Sequence, residues 1–395
     1  MGNAGPLAGI RVLEFSQVVA GPMCGSTLAE LGADVVKVEP PEGDPHRTRS
    51  AIVPLESKTF QALNRGKRSL VLDLSDERGR AVARRLAQQA DVVLVNYRLG
   101  VAERLGVDYE TLRALNPGLI YWQNTAWGET GAAADRPGAD VVAQAYSGLM
   151  ATVGRTDAND LPSAGPVPFT DILAALGGVS GICAALYHRA LGGGGQYVST
   201  SLLRSGLWAQ VRQVMREPVH DVTLRDPMME QVHALQDAGA SYKEIVDLRE
   251  TLNPILGAGT LYYQSYRAKD GFLSLGAVTL RTRERVRDLL GVPDEDSDAE
   301  DYDAADPANI ERMRTWREVI AAKFREKTVD EWLALLEQAG VPASPINFAE
   351  DMADDPLVEG DEMMVDLVHP ITGPQRVVGP IALLSETPTS VPRPA

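Results

Sequence analysis

Apolar and polar positions follow two different periods along the first hundred residues. An apolar run at residues 9–15 is followed by helical spacing at 22–32 and by a β-branched run at 34–39. The pattern recurs, with apolar runs at 70–74 and 90–95 on either side of a segment of helical spacing that begins after Ser75. Strands that alternate with helices in this way predict an α/β fold built on a parallel sheet.

The same alternation continues to about residue 200. An apolar run at 119–124 predicts a further strand, and a long helix is expected from Thr170 to Arg189. A glycine run at 192–195 and a short strand at 196–199 then lead into another helix. Three glycines inside the long helix, Gly177, Gly178 and Gly181, predict that a backbone or a ligand approaches it closely.

The chain changes character after residue 216. Residues 217–254 are polar, with helical spacing and no strand partner, which predicts a linker followed by an inserted helical segment. Runs at 262–268 and 271–275, joined at Asp270-Gly271, predict a hairpin, and 310–324 and 329–339 predict amphipathic helices. Between them, eight acids in the fourteen residues 293–306 predict a solvated loop, and the tail from residue 356 has short β-like runs.

Composition limits the partners of the chain. Its 54 acidic and 38 basic residues give a net charge of −16, which repels nucleic acid and anionic membranes. Cys24 and Cys183 lack metal-ligand spacing and are predicted to be buried, reduced thiols. With no basic leader and no uninterrupted apolar run of ~20 residues, a cytoplasmic location is expected.

Several chemistries are weakly supported by the residues. Glu39 follows a strand where a ribose-binding acid would stand, but the turn from Ser16 to Gly25 is not G-x-G-x-x-G, and Pro22 removes an amide. An NAD-dependent oxidoreductase is therefore a poor second. The five histidines are scattered, which disfavours zinc chemistry and a Ser-His triad.

Two features remain as candidate chemistry. Six cations, Arg47, Arg49, Lys58, Arg65, Lys67 and Arg68, lie within a short stretch and form either a solvated basic face or a phosphate-binding surface. Asp171 stands at the start of the long apolar helix. That position fits a carboxylate that only stabilises the helix, and it also fits a nucleophile shielded from water.

Taken in order, the motifs of the chain resemble one family over nearly its whole length. They are 6-PLAGIRVLE-14, 20-AGP-22, 31-LGADVVKVE-39, 64-NRGKRS-69, 91-DVVLVNY-97, 104-RLG-106, 116-NP-117, 170-TD-171, 195-GQ-196, 269-KDG-271 and 340-GVP-342. The chain is similar to the class III coenzyme A (CoA)-transferases (CaiB/BaiF-like), a family that includes formyl-CoA transferases, carnitine CoA-transferases and α-methylacyl-CoA racemases.

The resemblance implies a fold and an assembly. The fold is a Rossmann-like large domain with an inserted small α+β domain, and two chains form an interlocked homodimer. On this template residues 1–215 form the first part of the large CoA-binding domain, 216–345 the linker and small domain, and 346–395 a segment that returns to the large domain.

The resemblance also implies site residues and chemistry. Asp171 matches the catalytic aspartate, which carries a covalent intermediate as CoA moves from an acyl-CoA to a small carboxylic acid. The positions that match the CoA site are Gln17, Val18, Ala20, Lys67, Arg68, Leu70, Asn96, Tyr97 and Arg104. Acyl-CoA is the substrate, and no metal or tightly bound cofactor is expected.

Departures from the family pattern narrow the activity. Ala139 stands where racemases have a catalytic histidine and formyl-CoA transferases a tyrosine, which favours transfer over racemisation. Residues 256–260 are less glycine-rich than the small-domain loop of formyl-CoA transferases, and Pro40 replaces a basic residue near the adenine. A racemase or isomerase of the same family and a non-catalytic CoA-binding homologue are the alternatives, and the identity of the two acids stays open.

Overall fold

The computed structural model describes residues 5–252, 261–302 and 306–395. The described chain divides into two compact units. The first comprises Met1–Asp157, Pro162–Met215 and Ala353–Ala395, and the second comprises Ala158–Leu161 and Arg216–Met352.

The strands occur in both units. In chain order they are β1 Arg11–Glu14, β2 Asp34–Glu39, β3 Ala51–Val53, β4 Glu56–Ser57, β5 Arg68–Val71, β6 Val92–Val95, β7 Ile120–Thr125, β8 Tyr197–Ser201, β9 Tyr263–Arg267, β10 Phe272–Gly276, β11 Ala343–Pro345, β12 Met364–His369 and β13 Gly373–Val378.

The α-helices range from one turn to six. They are α1 Ala20–Glu30, α2 Pro45–Thr48, α3 Lys58–Asn64, α4 Glu77–Ala87, α5 Val101–Leu105, α6 Tyr109–Leu115, α7 Asp140–Tyr146, α8 Leu149–Val153, α9 Phe169–Ala190, α10 Leu202–Trp208, α11 Val211–Val214, α12 Pro218–His220, α13 Asp226–Asp237, α14 Tyr242–Leu252, α15 Leu280–Leu290, α16 Pro307–Phe324, α17 Val329–Gln338 and α18 Pro356–Glu359. A π-turn at Asp221–Arg225 joins α12 to α13, and 3₁₀ turns occur at Ala349–Asp354 and Gly360–Glu362.

The first unit is organised by a six-stranded parallel sheet in the order β5-β2-β1-β6-β7-β8. All four residues of β6 and all six of β7 are buried, as expected for central strands of a parallel sheet that is covered on both faces. This order is that of a doubly wound nucleotide-binding sheet, in which the direction of winding reverses between β1 and β6. The predicted α/β fold with a parallel sheet is confirmed.

Helices cover both faces of this sheet. One core packs α1 and α9 against β1, β2, β6 and β7, and the other packs residues of α4, α5 and α6 on the opposite face. By length and composition alone, α9 is a helix that could cross a membrane. In the structure, however, Ala175, Ile182 and Ala185 of α9 are buried in the first core.

The glycines of α9 face the sheet. A Cβ on Gly178 would lie 2.6 Å from the ring of Trp122, and one on Gly181 would lie 2.6 Å from Val198. The close approach predicted for this helix therefore comes from side chains of β7 and β8.

The C-terminal segment completes the first unit. β12 and β13 form an antiparallel hairpin, and Gln375 on β13 donates to Gln61 on α3 (2.6 Å). Further on, the Gly66 N–H donates to the Arg393 carbonyl (2.8 Å), and the Ser390 N–H donates to the Glu30 carbonyl at the end of α1 (3.1 Å).

The second unit has its own core. The strands β9, β10 and β11 form an antiparallel sheet, and the predicted hairpin is confirmed with Phe272 opposite Arg267. Phe324 of α16 lies between Tyr266 and Trp332, with ring centroids 4.4 and 5.1 Å away. The predicted helical segment after residue 217 is confirmed by α12, α13 and α14, whereas residues 256–260 lie outside the described residues.

The acidic loop corrects the sequence prediction. Glu295 is buried and accepts a hydrogen bond from Arg287 of α15 at 2.9 Å, while Asp298 pairs with both Arg283 and Arg287. The interpretation as a wholly solvated loop is wrong for these acids, because arginines on α15 reach them.

Both cysteines are free thiols. Cys24 is buried in the first core as predicted, but Cys183 is partly exposed, so its predicted burial is wrong.

Candidate active site

The carboxyl ends of β1 and β6 bring two loops together where the winding of the sheet reverses. The Gln17 N–H donates to Asn96 Oδ1 (2.9 Å), and Asn96 Nδ2 donates to the Gln17 carbonyl (2.7 Å). The next residue, Val18, has a left-handed φ of 70°, which is rare for a β-branched side chain. In doubly wound sheets a ligand-binding crevice lies at this point.

A cleft of about 570 Å³ opens at this edge of the sheet. Four residues proposed from the sequence line it together: Val18, Asn96, Tyr97 and Asp171. Residues after β7 and the start of α7, including Ala139 and Asp140, form the other wall. The structure therefore brings the candidate nucleophile and part of the predicted CoA site into one cavity.

Asp171 is held at the N-terminus of α9 by a second acid. The helix has no side-chain cap of its own, since Pro168 occupies the N-cap position. Asp140 Oδ1 accepts instead from the Thr170 N–H (2.9 Å), the Thr170 hydroxyl (2.6 Å) and the Asp171 N–H (3.3 Å). Gln144 donates to the other oxygen of Asp140 at 2.6 Å. The capping role that the sequence left open for Asp171 is thus performed by Asp140.

The surroundings of Asp171 favour its protonated form. Burial, followed by the charge of Asp140, raises the pKa of Asp171 to about 7, and the backbone N–H of Ala20 acts in the opposite direction by hydrogen bonding to the carboxylate. Ala20 is the first residue of α1, so its N–H is one of the free donors of a helix N-terminus. Burial likewise raises the pKa of Tyr97, to about 12, which keeps this phenol neutral.

Two arginines line the cleft that holds Asp171. Arg98 follows Tyr97 and donates to the backbone carbonyl of Asp135, and Arg136 is an exposed residue of the loop between β7 and α7. The cleft therefore carries two permanent positive charges within a chain whose net charge is −16. This combination suits an anionic ligand.

The other residues predicted for CoA lie around the cleft. Gln17 and Ala20 belong to the loop and helix start just described. Leu70 lies on the edge strand β5, Arg104 is exposed on α5, and neither lines the cavity. Their role in CoA binding stays a prediction.

The placement of Lys67 contradicts a phosphate-binding role. It is only 5% exposed, and its ammonium nitrogen lies 2.8 Å from Glu14 Oε2 and donates to the Pro22 carbonyl (2.7 Å) and to Asn64 (3.0 Å). Glu14 attracts the ammonium inward, so no free charge faces the surface.

Arg68 is exposed and forms a two-pronged bond with Asp34 at 2.6 and 2.8 Å. Both residues open their strands, so this pair lies at the amino ends of β2 and β5, away from the carboxyl-end cleft. Arg68 therefore lies apart from the cleft, and its predicted role in CoA binding stays a prediction.

The rest of the predicted basic surface is largely neutralised. Arg47 bonds to both oxygens of Glu39 (2.7 and 2.8 Å) and lies over the ring of Phe60, and Arg65 bonds to Glu30 (2.8 Å). Arg49 and Lys58 remain exposed. The bonds from Arg47, together with one from Ser69, lower the pKa of Glu39 to about 2, so Glu39 is not available to a ribose.

Three features of this region were not predicted from the sequence: Arg98, Arg136, and the buried pair of Lys37 and Glu14. Arg98 and Arg136 carry no local signal, because an arginine in a loop is ordinary. Lys37 and Glu14, in contrast, are charged residues inside runs of apolar strand residues, and that conflict was visible in the sequence. Among the described residues there is no group of three or more His, Cys, Asp or Glu side chains that could hold a metal ion.

A doubly wound sheet with a crevice where its winding reverses is typical of enzymes that bind nucleotide-like ligands, and a carboxylate in such a crevice is a group that can act as a nucleophile. The sequence profile of CoA-transferase family III matches residues 7–395, and the chain belongs to this family. It is 34% identical to the succinate–glutarate CoA-transferase of Agrobacterium fabrum, over 99% of this chain and 92% of that protein. It is also 34% identical to the succinyl-CoA:mesaconate CoA-transferase of Haloarcula hispanica, over 93% of this chain and 86% of that protein.

A solved structure agrees. A CaiB/BaiF family protein from Brucella suis superimposes with a TM-score of 0.71 at 32% identity, covering 98% of this chain and 96% of that one. The chain is therefore an enzyme that transfers CoA from an acyl-CoA to a carboxylic acid, as the sequence resemblance implied.

Proposed function

We propose that Asp171 is the nucleophile of the transfer and carries CoA as an aspartyl thioester. The observation that carries this proposal is the placement of Asp171, which lines the cleft while Asp140 performs the capping of the helix. Because Asp140 caps the helix, the Asp171 carboxylate is not needed for that role and is available to react.

The steps balance within the two substrates. An oxygen of Asp171 attacks the acyl carbon, and the C–S bond breaks. CoA leaves as a thiolate, and a mixed anhydride of Asp171 and the donor acid remains. The thiolate then attacks the carboxyl carbon of Asp171 and releases the donor acid. The acceptor carboxylate attacks the same carbon, expels the thiolate and forms a second anhydride, from which the thiolate takes the new acyl group and leaves Asp171 free.

The N–H of Ala20 is suited to a second role in this sequence. When the carboxyl carbon of Asp171 is attacked, negative charge develops on its carbonyl oxygen, and a fixed backbone donor nearby stabilises that charge. Gln17, Val18, Asn96 and Tyr97 are the contacts that we propose for CoA, since they surround the same position.

We further propose that both acids are dicarboxylic. The two relatives described above are named for succinate and glutarate and for succinyl-CoA and mesaconate. Arg98 and Arg136 supply positive charges for the second carboxylate of a dicarboxylic acid. The planar guanidinium of Arg136 is suited to donate two parallel hydrogen bonds to that carboxylate.

The test is a transfer assay followed by chemical trapping. With succinyl-CoA as donor, we expect transfer to glutarate or another C4–C6 dicarboxylic acid at a kcat/KM at least tenfold above that for the monocarboxylic acids of the same length. Hydroxylamine added during turnover should leave a mass-tagged Asp171 in the wild-type protein and no tag in Asp171→Asn. An Asn variant with normal turnover, or a tag on Asp140, would refute the nucleophile.

The same assay tests Arg136. Arg136→Met should lose the preference for dicarboxylic acids, measured as the ratio of kcat/KM for the two classes of acceptor with the same donor, because the cation that pairs with the distal carboxylate of the acceptor is gone. Arg85→Met, which changes an arginine on α4 away from the cleft, is the control and should keep the preference. Equal use of both acid classes by the wild-type enzyme would count against the dicarboxylate proposal.

We also propose that the protein acts as a homodimer in the cytoplasm. In the described first unit, large apolar side chains of α10 and α11 are exposed to solvent: Leu207, Trp208, Val211 and Val214, followed by Met215. Five large exposed apolar side chains within nine residues support coverage by a partner, and the family resemblance suggests that the partner is a second copy of the chain.

A further inference from the structure

Two lysines are buried beneath the loop that joins β1 to α1. Lys37 and Lys67 are 1% and 5% exposed, and Glu14 between them is fully buried. Glu14 lies 3.2 Å from the Lys37 nitrogen and 2.8 Å from the Lys67 nitrogen, and Asp44 lies 3.0 Å from Lys37. Two acids and two bases cancel in charge. We call these four residues the lysine cluster.

The lysine cluster also contacts the backbone of the loop. Lys37 donates to the Ser16 carbonyl and Lys67 donates to the Pro22 carbonyl, each at 2.7 Å. The Ser16 hydroxyl donates to Glu14 at 2.8 Å. Both ends of the segment 16–22 are therefore fixed to buried charges, while Asn96 fixes Gln17 between them.

The segment held in this way contains the strained residue Val18. A left-handed φ is unfavourable for a β-branched side chain and persists only where the surroundings fix it. Val18 lines the cleft together with Asp171, and α1 begins two residues later at Ala20. The bonds to the Ser16 and Pro22 carbonyls therefore fix the segment that carries Val18 into the wall of the cleft beside Asp171.

Two glycines of α1 make room for this arrangement. A Cβ on Gly25 would lie 2.0 Å from Glu14 Oε2, and one on Gly21 would lie 2.1 Å from the Ser16 side chain. Glycine is thus required at both positions, because the helix lies directly on the lysine cluster.

Stability alone is a weak reason to bury four charges. Removing charged groups from water is costly, and well-packed apolar residues of similar volume often serve a fold equally well. The lysine cluster instead places two donors at fixed backbone carbonyls, which apolar residues cannot do.

We propose that Lys37 and Lys67 are positioning residues of the transfer reaction, which hold the segment 16–22 in the conformation that places Val18 in the cleft beside Asp171. The assignment rests on the proposed role of Asp171. It adds a function for two lysines that do not touch the cleft.

The test uses variants that preserve the charge balance. Lys67→Met combined with Glu14→Gln removes one base and one acid, and releases the Pro22 carbonyl. Lys37→Met combined with Asp44→Asn does the same for the Ser16 carbonyl, and Asn retains an acceptor oxygen for the N–H of His46. The second pair serves if the first does not fold, as judged by circular dichroism and a cooperative melt.

The control is a second ion pair that also donates to a backbone carbonyl, and it lies at the amino ends of the strands, the edge of the sheet opposite the cleft. Arg189 lies 3.0 Å from Asp91 and donates to the Gly118 carbonyl at 2.9 Å. Arg189→Met combined with Asp91→Asn removes an equivalent set of bonds far from the loop. It therefore reports the effect of lost stability alone.

The measurement is the single-turnover rate at which saturating succinyl-CoA labels Asp171, trapped with hydroxylamine. We expect at least a tenfold decrease in each folded cluster variant and less than a twofold change in the control. Labelling at the wild-type rate in a folded cluster variant, or an equal decrease in the control, would overturn the inference. If wild-type enzyme transfers CoA without any label on Asp171, the nucleophile proposal fails separately, and the same tenfold criterion is applied to kcat.

Discussion

Two opposing effects act on the pKa of the Asp171 carboxyl group. Burial and the charge of Asp140 raise its pKa to about 7, and the Ala20 N–H counteracts them. When it is ionised, a carboxylate with a raised pKa is more basic than an ordinary aspartate. In the proposed mechanism this ionised form is the one that attacks the thioester.

The raised pKa predicts a pH-dependent stability difference between wild-type protein and Asp171→Asn. The folded state holds the proton more tightly than the unfolded state, where the pKa is 3.8, so this stabilisation is complete below 3.8 and is lost as the pH rises to about 7. Asp171→Asn should therefore be more stable than wild type at pH 8, on the order of 4 kcal/mol for a shift of about three pKa units, with a much smaller difference at pH 4. Urea unfolding at both pH values measures this.

Each protein in that comparison is its own control, because every other titrating group is common to both. If Asp171→Asn were less stable than wild type by the same amount at pH 4 and at pH 8, Asp171 would have to make structural bonds. That result would also contradict the raised pKa.

The sequence identified Asp171 and Asn96 but assigned Lys67 wrongly. Asp171 was found because it begins a long apolar helix and because family motifs flank it. Lys67 was grouped with its basic neighbours, since a linear sequence does not reveal that Glu14, fifty-three positions away, attracts the ammonium inward. Pairings between distant charged residues depend on the fold.

At the scale of elements, α9 depends on α7 for its N-terminus. Regular elements were predictable, because strand and helix periods differ and turn residues separate them, so the expected helix from Thr170 to Arg189 is observed as Phe169–Ala190. The cap was not predictable. Its acceptor, Asp140, lies thirty residues upstream of Thr170.

This cap predicts different outcomes for two substitutions of Asp140. Asp140→Ala removes the acceptor for the Thr170 and Asp171 N–H groups and should lower the free energy of unfolding by about 1 kcal/mol. Asp140→Asn keeps an acceptor oxygen, so its free energy of unfolding should fall by no more than about half as much. Both remove the charge that raises the pKa of Asp171, so the inflection of kcat/KM should move to lower pH in both.

Chemical denaturation and a pH–rate profile separate the two effects. Equal stability of the Ala and Asn variants would argue against the cap. An inflection that stays at the wild-type pH in both would argue that Asp140 does not act on Asp171.

At the scale of the whole molecule, the exposed apolar residues of α10 and α11 predict self-association. The protein should sediment as a dimer at micromolar concentration, and Trp208→Glu should weaken the dimer at least tenfold, because it places a charge on a side chain that is 69% exposed in the single chain. Val82→Glu, on the arginine-rich helix α4, should leave the dimer intact. A wild-type monomer at that concentration would refute the proposal.

The contact of the C-terminal segment with Gly66 and α1 has a consequence for biosynthesis. Ser390 and Arg393 leave the ribosome long after their bonding partners, which are Glu30 at the end of α1 and Gly66 in the loop before β5. Translation from residue 215 to residue 393 takes roughly 10 to 40 seconds at ordinary bacterial rates. During that interval the nascent chain carries an unfinished first unit while residues 216–352 are being made, and chaperones have their longest access to this protein at that stage.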